Sequence, residues 1–129
     1  MNITLLRIGG VLNLLGAIFH LSFWKLLKWP ESLSCLAFDN RAVTQVLNIH
    51  LALVFFVFAF ISLFHTKEML SSKLGKSVMI SIAFFYAVRL VNEIVFWGLI
   101  NAESLFILGL CLVFVFLYGL PFVFSKKSF

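Results

Sequence analysis

The sequence predicts an all-α integral membrane protein, a four-transmembrane-helix bundle with a short interfacial helix between its first two spans. Three observations carry this. The chain is 63% hydrophobic and 12% charged, with a mean hydropathy of +1.12, whereas a soluble domain is about half apolar and a quarter charged. The apolar residues form four runs, at about 3–24, 41–65, 77–100 and 105–124, and each is long enough to cross a bilayer as a helix. Most of the charged residues fall between those runs. The four spans use up the chain, so 1–129 is one membrane domain. The seventeen Phe residues fit side chains that face acyl tails and need no polar partner.

In the first span Gly9, Gly10, Asn13, Gly16, Ala17 and His20 recur at three- and four-residue spacing. Such a stripe of small and polar residues lets membrane helices approach closely. Arg7 followed by an apolar run mimics a signal peptide, but no A-x-A site follows, and the run reads as a retained span. Trp24, Lys25, Lys28 and Trp29 mark the membrane boundary. Trp29-Pro30-Glu31 then reads as a helix start, because Pro suits the first helical position and an acid suits the first turn. With Leu33, Leu36 and Ala37 on one face, it predicts a short amphipathic helix lying over the mouth of the bundle.

Asp39 or Asn40 can cap the second span. Gln45, Asn48, Ala52, Ala59 and Ser62 share one side of it, while His50 lies about 200° round the helix from Asn48. The stretch from His65 to Lys76 is polar and basic and lies outside the bilayer core. Asn101-Ala102-Glu103-Ser104 is a tight turn that makes the third and fourth spans antiparallel neighbours. The fourth span is apolar apart from Cys111 and Tyr118, and Pro121 frays or bends its last turn. Cys35 and Cys111 fall at different depths and do not pair.

Four spans place both termini on one side. That side holds Lys67, Lys73, Lys76, Lys126 and Lys127, and the opposite side Lys25, Lys28 and Arg41. The positive-inside rule then puts both termini in the cytoplasm of a plasma (cell inner) membrane. The net charge of +5 is a topology signal of this kind, and not a nucleic-acid footprint.

The third span carries Arg89, Asn92 and Glu93 on one helix face. Ionisable groups at membrane depth cost about 2.5–3.5 kcal/mol on insertion scales, so they are buried in a bundle and paired. Counted from the span ends away from the termini, His20, Gln45, Asn48, His50, Glu93, Asn92 and Arg89 lie about 6–16 Å deep. The other half of the bundle reads as almost purely apolar. The sequence thus predicts a polar pocket binding or transporting a small or lipid-like ligand, with His20, Asn48, Arg89, Asn92 and Glu93 as ligand-binding residues. A second reading is a redox or metal site, in which His20 and His50 ligate a haem or join Glu93 around a metal ion, or the His and Glu serve a quinone or lipid enzyme as acid and base. A third is a non-catalytic accessory subunit, working as a homo-oligomer or within a larger membrane complex.

Overall fold

The computed structural model describes residues 2–98 and 102–125. Seven helices follow one another: α1 (Asn2–Leu21), α2 (Phe23–Leu26), α3 (Trp29–Ser32), α4 (Phe38–Phe64), α5 (Thr66–Ser71), α6 (Lys73–Trp97) and α7 (Ala102–Phe124). Four of them, α1, α4, α6 and α7, are long and apolar enough to cross a membrane. The fold is therefore a four-span membrane bundle with short connecting helices. Only 28% of each span's apolar window is buried within the chain, so most of its side chains are left to acyl tails. Residues 99–101 and 126–129, which include Asn101 of the tight turn and the tail lysines Lys126 and Lys127, lie outside the described residues.

Packing follows the small residues. The buried face of α1 is Leu6, Gly9, Gly10, Asn13 and Ala17, and with it α1 packs closely on both α4 and α7. At Gly9 a Cβ would sit 2.9 Å from the Tyr118 ring, so a bare backbone is what admits that phenol. Helices α6 and α7 also pack closely on each other. Between α4 and α6 the space is filled by rings instead. Phe55 and Phe58 of α4 meet Phe85 edge-on, and Phe55 lies parallel to Tyr86 at 6.1 Å.

The connection between α1 and α4 is shorter in helix than the sequence predicts. It holds two single turns, and α3 ends at Ser32, leaving Leu33, Leu36 and Ala37 outside it. Trp29 is buried and packs edge-on against Phe23 and Trp24, so one ring pins the turn in place of an apolar face. Helix α4 starts one turn early, with Ala37 as its N-cap and no side-chain cap. Asp39 sits in the first turn instead, where its charge suits the helix dipole.

Within the basic connection the chain forms α5, which sequence reasoning left as a polar link. Its Thr66 and Met69 are buried, and it packs on α6. Ser72 caps α6 by accepting a 2.8 Å bond from the Gly75 N–H. A Cβ at Gly75 would fall 2.4 Å from Met69 Cα and closer still to the Glu68 carbonyl oxygen. Backbone cannot swing aside as a side chain can. Gly75→Ala is therefore expected to push α5 off α6 and to cost about 1–3 kcal/mol, the range for overpacking, read as a lower midpoint in detergent unfolding.

Candidate functional site

At the end of the bundle away from the termini, the polar side chains pair with one another. His20 of α1 and Asn48 of α4 bond reciprocally. The imidazole Nδ1–H donates to Asn48 Oδ1 at 2.8 Å, and the amide Nδ2 donates to the His20 carbonyl at 2.8 Å. Because a carbonyl only accepts, the second bond fixes the amide orientation, and that in turn places the proton on Nδ1. One turn further out, Trp24 Nε1 donates to Gln45 Oε1 at 3.0 Å. These bonds clamp α1 and α2 to α4.

On α6 the Arg89 Nη1 lies 2.6 Å from Glu93 Oε2, with Glu93 2% exposed and Arg89 35%. Among the described residues neither atom has a further hydrogen-bond partner. One turn on, the Trp97 ring centroid is 5.7 Å from the Arg89 guanidinium carbon, within cation–π reach. Glu93 thus faces the inside of the bundle, and Arg89 reaches it from the α6 surface. Asn92 does not join this pair but is exposed on the outer side of α6. There it stands with Ser81, Phe84, Phe85, Val88 and Arg89 along one open strip of the α6 surface.

His50 stands apart. It is exposed, and its Nδ1–H donates to the Val46 carbonyl one turn back at 2.8 Å. The 200° offset from Asn48 directs it outward while Asn48 is buried. Among the described residues no three His, Cys, Asp or Glu side chains gather closely enough to hold a metal ion. The set His20, His50 and Glu93 is thus not brought together: the helical offset turns His50 away from Asn48, the residue to which His20 bonds.

The expectation of an almost purely apolar remainder is corrected by a buried network near the middle of the bundle. Tyr86 OH donates to Asn13 Oδ1 at 2.5 Å, while Asn13 Nδ2 donates to Tyr118 OH at 3.0 Å and to the Gly9 carbonyl at 2.8 Å. Tyr118 OH and Ser62 Oγ are 2.7 Å apart. Four helices meet at these side chains, and the Tyr86 ring stacks on Phe114 at 4.0 Å. Asn13, Ser62 and Tyr118 are each 0% exposed, so the network plugs the axis. No ligand pocket opens there.

Fold and site together define a multi-pass α-helical membrane protein with polar pairs toward its far end and a buried polar network joining its four spans. No family model matches the chain, and neither a curated protein nor a solved structure matches it.

Proposed function

We propose that the protein binds a single-chain, lipid-like ligand with an anionic or carbonyl headgroup, laterally on α6. One observation carries this reading: Arg89 is held from behind by a fully buried Glu93 yet is one-third exposed on an open, shallow groove of the α6 surface whose other residues are mostly apolar. The guanidinium has five N–H donors in a planar fork, so Glu93 leaves donors for a headgroup. Asn92 stands beside it at the outer end. From Ser81 to Asn92 the groove runs about 16 Å along the helix, the length of a medium acyl chain. An amphiphile there lies with its headgroup toward the membrane face opposite the termini. The Lys67, Lys73 and Lys76 cluster supports assigning the terminal side to the cytoplasm of a cell inner membrane.

The test is a titration of the protein in phosphatidylcholine nanodiscs with dodecanoate, dodecyltrimethylammonium and acetate. Saturable binding of dodecanoate alone is expected. Arg89→Gln/Glu93→Gln, which removes both charges together and leaves neutral polar side chains, is expected to weaken it at least tenfold. Equal binding of the cationic amphiphile, or unchanged affinity in the double variant, would overturn the reading. Acetate binding as tight as dodecanoate would show that the groove contributes nothing.

A further inference from the structure

We infer that the outward face of α4 is a homodimer seam, centred on His50 and formed with the same face of a second copy. The buried residues of α4, Asn48, Ala52, Phe55, Ala59 and Ser62, follow a 4-3-4-3 rhythm. Diametrically opposite, Val43, Val46, His50, Leu53, Val57, Phe60 and Phe64 follow the same alternation, 3-4-3-4-3-4, and all are exposed. That is the a/d repeat of a left-handed helix pair. Periodicity alone is not enough, because lipid is as apolar as leucine and gives apolar helix faces no reason to associate. His50 supplies the reason.

Its Nδ1–H is committed to the Val46 carbonyl, so in the neutral ring Nε2 carries a bare lone pair. That acceptor points away from the bundle at membrane depth, where an unsatisfied polar group is costly. Around a twofold axis normal to the membrane, each a-position residue meets its own mate. The two His50 rings then face each other at one level, and a single water on the axis donates one hydrogen to each Nε2. The arrangement is electrically neutral and uses the one polar side chain on the seam. A single polar residue at an a position is also what fixes register and two-strandedness in helix pairs.

The experiment is disulfide scanning in native membranes on a Cys35→Ser/Cys111→Ala background, with the mass of the wild-type particle measured in nanodiscs. Val46→Cys, Leu53→Cys and Val57→Cys are expected to give crosslinked dimers. Ile49→Cys and Phe56→Cys, exposed but off the seam, are expected to give several-fold less. The wild-type mass is expected to be that of two chains. His50→Leu, which keeps the seam apolar, is expected to weaken association about threefold to tenfold, the worth of one interhelical hydrogen bond. A one-chain mass, equal crosslinking on and off the seam, or unchanged association in His50→Leu would each overturn the inference.

Discussion

Arg89→Leu is expected to destabilise the bundle by about 3–5 kcal/mol, and Arg89→Leu/Glu93→Leu to recover most of that loss. The asymmetry follows from burial. Glu93 is 2% exposed and, among the described residues, its Oε2 has no partner other than the guanidinium. Removing Arg89 alone strands a carboxylate at membrane depth, where the group must neutralise or draw in water. Removing both leaves two apolar side chains where a charge pair stood, and such exchanges are often neutral or stabilising. Unfolding by sodium dodecyl sulfate in mixed micelles, followed by circular dichroism, measures both variants. If the single variant were as stable as the wild type, Glu93 would have another route to solvation, and the account of this pair would fail.

The second large effect is expected at Asn13. Asn13→Leu removes two interhelical bonds at once, leaving Tyr86 OH without an acceptor and Tyr118 OH with Ser62 as its one remaining partner among the described residues. We expect a loss of about 2–4 kcal/mol, since an unsatisfied buried polar group costs about 1–3 kcal/mol. The triple variant Asn13→Leu/Tyr86→Phe/Tyr118→Phe removes the stranded hydroxyls as well and is expected to regain part of the stability. A triple variant weaker than the single one would mean that the hydroxyls find other partners. Ser62 provides the finer control: it touches only Tyr118 in this network, so Ser62→Ala is expected to cost less than Asn13→Leu.

The helices that span the membrane were legible because length and apolar composition are local properties. The α1 stripe was legible too, since three- and four-residue spacing defines a helix face without any knowledge of its neighbours. The 200° offset likewise separated His50 from Asn48 before any coordinates. What one helix's periodicity does not specify is which face meets which. Asn13 read as a member of a packing seam, but its partners Tyr86 and Tyr118 lie 73 and 105 residues away along the chain, and Ser62 lies 56 residues from Tyr118. Nothing in the spacing joins them. For the same reason Asn92 read as part of the patch with Arg89 and Glu93, although its exposure places it on the outer side of α6. Helix α5 went unseen because its six residues are too few for a period to show and too polar to resemble a buried segment.

The ring-filled gap between α4 and α6 gives the bundle a line of ring contacts. Phe85 forms part of the lateral groove. It stands at 87° to Phe55, and Phe55 in turn meets the His20 ring edge-on at 5.2 Å. Close-packed rings cannot turn independently. Phe85, Phe55 and the His20 ring thus form one chain of edge-on contacts from the outer surface of α6 to the imidazole that bonds α1 to α4. Small-residue seams, as between α1 and α7, allow backbones to touch and leave no such chain. The bundle is thus held by interlocked rings on one side and by touching backbones on the other.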